Sequence, residues 1–366
     1  MKIRVMLGLF AAFLFFSCDQ YPIFHAISQE VEPKDPRVKG NPTNMVELDD
    51  AVYVASRFGK TIHYYNKEGE WGGMSSPDGK SVMELATDGT YLYALAGVPF
   101  DKAEVYYKDV ADAEWGTPIA FAASGVIQTI RGAVDDAVDD KEGYIFASTE
   151  NGLFFYKAGE NDLFPLLSGL SKENIVTGAA YLGTTYYVAI VNKGIYTFDG
   201  TTWSDEKQPI DGTAGKPIVG MLAVGDAIVA VSRDPGGRNG SLFYGDFSGF
   251  KEESKNVAFS GAMGIWRDAD NAPSLLLVGI QSQSYSTVNG YREILLNNGS
   301  LDPNSLGLGR PGAFDGSTVS SADRYGSTME LRAATSLYQA RDNTLFASTM
   351  QHGLWSYRND VWNAED

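Results

Sequence analysis

Three features of the sequence predict an all-β chain wound into a ring of like sheets: a hydrophobic phrase that recurs seven times, a composition rich in aromatics and glycine, and no stretch of helical period to compete with them. The phrase is plainest in "YIFASTENGLFFYKAGENDLF", Tyr144 to Phe164, and in "LFASTMQHGLWSYRNDVW", Leu345 to Trp362. Each copy reads as a strand, a glycine-containing turn, a second strand, a polar turn and a large apolar residue. Aromatics make up 12% of the chain and Gly 40 of its 366 residues, which suits half-buried pleated surfaces joined by tight turns.

The other five copies run from Ala51 to Trp71, Tyr91 to Trp115, Tyr186 to Trp203, Ala227 to Phe250 and Leu275 to Leu301. The first strand carries a small residue after alternating bulky ones: Ala55, Ala147, Ala189, Ala230, Gly279 and Ala347. The second opens with Ile62, Val105, Leu153, Ile195, Leu242, Ile294 and Leu354, spaced 42 to 60 residues apart. The closing apolar residues are Trp71, Trp115, Phe164, Trp203, Phe250, Leu301 and Trp362.

Ahead of each copy lies a further segment of small and aliphatic residues ending in an Asp, Asn or Gly turn: "NMVELDD", "VMELATDG", "AVDDAVDDKEG", "TGAAYLGT", "VGMLAVGD", "MGIWRDADN" and "AATSLYQARDN". Its small residues suit an innermost strand crowded near a central axis. Four antiparallel strands at this period characterise a propeller blade, so residues 44–366 are expected to form a seven-bladed β-propeller of four-stranded antiparallel blades. The segment 297–329, rich in Gly, Ser and Asn, is the longest connection.

The N-terminus has a basic start (Lys2, Arg4), an apolar run from Val5 to Phe16, then Ser17 and Cys18. That run is too short to span a bilayer, for which roughly 20 residues are needed, so residues 1–17 read as an export signal peptide. Cys18, the one cysteine of the chain, excludes an internal disulfide. Residues 18–43 carry no repeat and read as a tether, in which Ile23 to Ile27 is placed as a strand that helps close the ring against the last blade.

The placement of Cys18 directly after the apolar run resembles the lipobox of bacterial lipoproteins. That resemblance implies a diacylglycerol on the thiol, a mature chain beginning at Cys18, and a membrane anchor in the cell envelope. The runs from Asp139 to Tyr156 and from Asp342 to Tyr357 resemble the β-propeller repeats of bacterial two-component regulator sensor domains, which implies the fold. Propeller-bearing lipoproteins of outer-membrane protein assembly are similar in combination, without a shared motif.

The chain carries a formal net charge of −17, and loss of Lys2 and Arg4 with the signal takes the mature form to near −19. Such a surface disfavours nucleic acid as a partner and repels anionic headgroups, so it is expected to hold the body off the membrane with the lipid as tether. The three histidines, His25, His63 and His352, fall in the tether, a strand and a turn, and assemble no Ser/His/Asp set. No cofactor or metal is expected. The acidic run at Asp135, Asp136, Asp139, Asp140 and Glu142 lacks the glycine spacing of an EF-hand and reads as a solvated turn. The Asn-Gly-Ser triplets at Asn239 and Asn298 read as hairpin turns. "FDGTTW" lacks the residue between Asp and Gly that a sialidase box requires.

Arg131 and Arg332 each precede an expected inner strand, so the pair is the anion-binding candidate: two guanidiniums at one channel mouth hold a carboxylate, or else each pairs with an acidic neighbour such as Asp135 or Glu330. The leading functional expectation is a membrane-anchored extracytoplasmic lipoprotein whose propeller acts without catalysis as a binding or scaffold module for an envelope protein or small ligand. The alternative is a glycan-active enzyme, a sialidase-like hydrolase or lyase using the axial channel mouth. A sensor passing a signal inward is disfavoured, since no further module follows the last blade.

Overall fold

The second strand of each repeat is buried from both sides, which is what a blade sandwiched between two neighbours requires. The second strand of the first blade is buried at six of its seven positions, and its counterpart near the C-terminus at all five. These strands therefore read as near-continuous apolar runs rather than clean alternations, because adjacent sheets cover both faces.

In the computed structural model the described residues are 37–366 apart from 39, 99–100, 120–124, 136–141, 158–163, 205–207, 238, 256–257, 269–270, 282–289, 302–332, 350–352, 359–360 and 366. Blade 1 contains β1 (Asn41–Leu48), β2 (Ala51–Arg57), β3 (Thr61–Tyr65) and β4 (Trp71–Ser75). Blade 2 contains β5 (Val82–Thr87), β6 (Leu92–Val98) and β7 (Lys102–Lys108); blade 3, β8 (Ile127–Asp135), β9 (Glu142–Thr149), β10 (Gly152–Lys157) and β11 (Phe164–Ser168). Blade 4 has β12 (Val176–Leu182), β13 (Thr185–Ile190) and β14 (Gly194–Phe198); blade 5, β15 (Ile218–Val224), β16 (Ala227–Ser232), β17 (Gly240–Asp246) and β18 (Gly249–Lys255). Blade 6 has β19 (Phe259–Arg267), β20 (Pro273–Ile280), β21 (Gly290–Asn297) and β22 (Ser300–Leu301); blade 7, β23 (Ala334–Gln339), β24 (Leu345–Thr349), β25 (Leu354–Arg358) and β26 (Val361–Ala364).

Every sheet is an antiparallel meander in sequence order, and the arrangement is a seven-bladed β-propeller. Among the described residues, blades 2 and 4 have three named strands, and irregular chain takes the fourth place. In blade 2, Gly116 and Ile119 donate backbone bonds to Tyr107 and Val105; in blade 4, a single bridge joins Phe198 to Trp203. The closing apolar residues behave as expected at Trp203, Phe250, Leu301 and Trp362, which are buried, whereas Phe164 is 39% exposed.

Seven clusters of buried side chains lie one at each interface between neighbouring blades. The seventh closes the ring: Val38, Met45, Val54 and Tyr65 of the N-terminal side meet Phe346 and Leu354 of blade 7. Glu365, 3% exposed, fixes that seam. Its carboxylate accepts from Arg37 (3.2 Å), Trp71 Nε1 (3.1 Å), Ser356 (2.5 Å) and Arg358, while its carbonyl accepts from the Arg37 and Val38 N–H groups. The expected closing strand at Ile23 to Ile27 lies outside the described residues.

Candidate functional site

The first strand of each blade lines the axis, so its exposed edge must satisfy backbone groups that no further strand can reach. Side chains do this by reaching to the next blade. Thr43 donates to the Met83 carbonyl (2.7 Å), and the Asn44 amide bonds both the N–H and the C=O of Leu85. Glu84 accepts from Ile130 N–H (3.0 Å), Thr129 donates to the Val176 carbonyl (3.1 Å) and Thr177 to the Ile218 carbonyl (3.0 Å). Each such bond contributes about 1 kcal/mol. Between blades 5 and 6 the backbones themselves approach: a Cβ on Gly220 would lie 2.2 Å from the Gly261 carbonyl oxygen.

These seven strands enclose an axial cavity of about 370 Å³. Arg131 lies in its wall, within β8 rather than ahead of it, because the inner strand of blade 3 starts at Ile127, upstream of the acidic run. Polar Gln128 and Arg131 disguise that strand in the sequence; Arg131 is tolerated because it faces the channel. The Arg131 guanidinium pairs with Glu84 at 2.8 Å and donates to the Thr177 carbonyl at 3.4 Å. Among the described side chains Glu84 is its acidic partner. Arg332, Cys18, His25, His352 and residues 136–141 lie outside the described residues. His63 sits on β3, opposite Val54 and Gly73.

Antiparallel meanders send the chain alternately to two axial faces. Turns between first and second strands, and between third and fourth, lie on one face, here called distal. Second-to-third turns and blade-to-blade connections lie on the other, called proximal, where Arg37 joins the ring. The distal mouth holds a concavity of about 690 Å³ lined by Glu47, Asp49, Asp50, Thr87, Tyr338 and Arg341, among others. Arg341 pairs with Asp50 and lies 3.6 Å from Glu47, which also accepts from the Tyr338 hydroxyl. Asp49 and Asp50 adopt left-handed φ of 50° and 63°, the conformation of a tight hairpin turn.

Distal turns are capped by carboxylates. Asp88, 2% exposed, accepts from Thr90 and Tyr91 N–H and from the Tyr93 hydroxyl at 2.5 Å; burial nevertheless holds it above the usual carboxylate range. The proximal face carries a different cluster. Lys80 lies 2.5 Å from Glu104 and bonds the Tyr106 hydroxyl, which is 2.8 Å from both Asp78 and Glu104. The bond to Glu104 raises Lys80, Lys80 in turn lowers Glu104, the Tyr106 hydroxyl lowers Asp78, and burial pushes Tyr106 up to about 12. A lysine so raised stays protonated and is no nucleophile at neutral pH. Among the described residues no group of three or more His, Cys, Asp or Glu is arranged to hold a metal ion.

Sequence reasoning missed Glu84, the distal mouth and Glu365. Glu84 had a signal, a lone acid inside the apolar run "VMELAT"; the seam carboxylate at Glu365 had none, since its partners are scattered from Arg37 to Arg358.

No family model matches the chain, and no curated protein matches it. Solved structures similar to it include the WD40 β-propeller domain of Doa1, at 12% identity over 89% of this chain and 95% of that one, with a TM-score of 0.55. Virginiamycin B lyase from Staphylococcus aureus is similar at 11% identity over 84% and 92%, with a TM-score of 0.51. YCF48 bound to D1 peptide is similar at 10% identity over 87% and 93%, with a TM-score of 0.52. At such identities the likeness concerns fold alone, and these neighbours serve different ends. By fold, then, the chain is a seven-bladed β-propeller.

Proposed function

We propose that this protein is an extracytoplasmic lipoprotein, held to a membrane through a lipid on Cys18, whose propeller binds an envelope protein or small ligand without catalysis. The observation that carries the binding reading is the distal mouth, where turns of blades 7, 1 and 2 together with Val134 of blade 3 leave an open concavity lined by Glu47, Asp49, Asp50, Tyr338 and Arg341. Asymmetric placement of charge around a ring of like blades is how one scaffold acquires a preferred partner. Arg131 is the channel's anion-binding candidate, together with Arg332; a ligand carboxylate there has to displace Glu84 from the guanidinium. YCF48, a neighbour in fold, is solved with a peptide bound, which fits the same use of a propeller.

The test is capture from the native envelope with the lipidated protein and with Asp49→Lys/Asp50→Lys. A partner or ligand retained by the parent and lost by the variant is expected. Equal recovery on both would remove the distal mouth from the reading, and turnover of a glycan by the parent would replace binding with catalysis.

A further inference from the structure

We infer that the proximal face is the membrane-apposed surface, with Phe58 and Val98 seated among the headgroups of an anionic bilayer. This rests on the reading that Cys18 carries the lipid, and it adds which face the lipid draws toward the membrane and which side chains meet it.

The chain leading back to Cys18 leaves the ring on this face. Arg37 and Val38 donate to the Glu365 carbonyl, and β1 starts beside the β2–β3 turn that holds Phe58. Residues 19–36 reach at most roughly 60 Å when fully extended, so the tether keeps the body near the bilayer without choosing its orientation. The surface itself makes that choice. Phe58 is 82% exposed and Val98 57% exposed. They flank one residue: Ser81 accepts from Phe58 N–H through its hydroxyl (2.8 Å) and from Gly97 N–H through its carbonyl (2.9 Å).

Phe58 also holds a φ of 67°, a left-handed conformation that disfavours a bulky side chain. A strained aromatic pointed into solvent contributes no packing to the folded ring, which directs attention to a use outside it. Around the pair stand exposed Arg57, Lys60 and Lys102, with Arg37 57% exposed at its side chain. The nearby carboxylates of Asp78 and Glu104 are bonded to Lys80, and among the described residues Asp101 is the remaining acid beside the pair. An aromatic and an aliphatic flanked by cations match the depth profile of a headgroup layer, where rings sit at the interface and basic side chains meet lipid phosphates. The contact is confined to this sector of blades 1 and 2: Glu150, Glu173, Asp211 and Asp234 are exposed elsewhere on the proximal face, and Asp49, Asp112, Glu114 and Asp226 on the distal face, where they repel anionic headgroups.

The experiment uses the lipidated protein in vesicles of phosphatidylethanolamine and phosphatidylglycerol, with an environment-sensitive nitrobenzoxadiazole label on Phe58→Cys or, as the distal control, on Phe247→Cys. Phe247 is 71% exposed in the turn between β17 and β18. Once the Cys18 sulfur carries the diacylglyceryl group as a thioether, each variant has a single free thiol. The label at 58 is expected to gain intensity several-fold, shift to the blue and be quenched by a headgroup nitroxide lipid, while the label at 247 keeps its aqueous emission. Equal responses, a response at 247 alone, or none at 58 while the protein stays on the vesicles overturns the inference; the last is what a protein partner on this face would give. Mass measurement of the N-terminal peptide reports acylation independently. If Cys18 is unmodified, the anchoring reading falls, and the same labelled chains with Cys18→Ser, held by an N-terminal histidine tag on nickel-chelating lipid, still decide the face.

Discussion

The two axial faces are built from equivalent turns of the same repeat, yet they do different things with charge. On the distal face, acids cap their own turns, as Asp88 does through Thr90 and Tyr91 N–H, and pair across the blade 1–blade 7 seam, as Asp50 does with Arg341 at the open concavity and Asp342 with the Tyr65 hydroxyl. On the proximal face the carboxylates join distant parts of the chain: Glu365 ties Arg37 and Trp71 to blade 7, and Glu104 ties Lys80 to β7. The difference teaches that a repeat fixes where a turn lies but leaves its side chains free to close the ring, shape a mouth or face a surface.

The sharpest way to break this contrast is to remove the seam carboxylate. Glu365→Ala leaves two guanidiniums and an indole N–H around a vacated, buried acceptor, and a loss of roughly 3–5 kcal/mol is expected in urea unfolding. Asp226→Ala, an exposed distal acid, should stay within about 0.5 kcal/mol of the parent. Similar losses for both would erase the distinction between closing and surface carboxylates.

A smaller effect separates capping from charge on the distal face. Asp88→Ala removes three hydrogen bonds at a buried site and is expected to cost roughly 1–3 kcal/mol, with Asp88→Asn losing less than half of that. Because burial raises Asp88 in the folded state, its contribution is fully present below the unfolded value and is lost as pH rises through the folded one. The parent should therefore lose stability relative to Asp88→Asn as pH climbs past the ordinary carboxylate range; parallel pH profiles would contradict this.

Phe58→Gly addresses the proximal face. Relief of a left-handed backbone, worth roughly 1–2 kcal/mol, is offset by the roughly 0.5–1 kcal/mol of extra chain entropy that Gly loses on folding. The thermal midpoint is expected to hold or rise slightly. A drop of several degrees would mean that Phe58 stabilises the ring after all.

Least in size is Glu104→Gln. Glu104 is lowered by Lys80, so its contribution is present above the unfolded carboxylate value and is lost as pH falls through the folded one. With its side chain 43% exposed, solvent screening leaves about 0.5 kcal/mol at neutral pH, which should vanish in acid. A difference that persists at low pH would assign the effect to packing.

Much of this architecture was legible before any coordinates. Ile62, Val105, Leu153, Ile195, Leu242, Ile294 and Leu354 mark the third strand of every blade, and each is no more than 2% exposed. The small residues expected at the axis are there for the expected reason: a Cβ on Gly264, in "MGIWRDADN", would lie 2.8 Å from the Leu337 carbonyl oxygen. The start of β8 was hidden because Arg131 and Gln128 break its apolar pattern, and the partner of Arg131 was hidden because Glu84 belongs to a different repeat.

Sequence alone determined the repeat, its count and the order of strands within each blade, since hydrophobic spacing is a local property that each blade states for itself. Only the tertiary structure decided that Glu365 closes the seam, that Glu84 meets Arg131, and that Phe58 and Val98 share a patch around Ser81. Those contacts join residues from different blades, and their pairing depends on how the ring curves, which no single stretch of chain encodes.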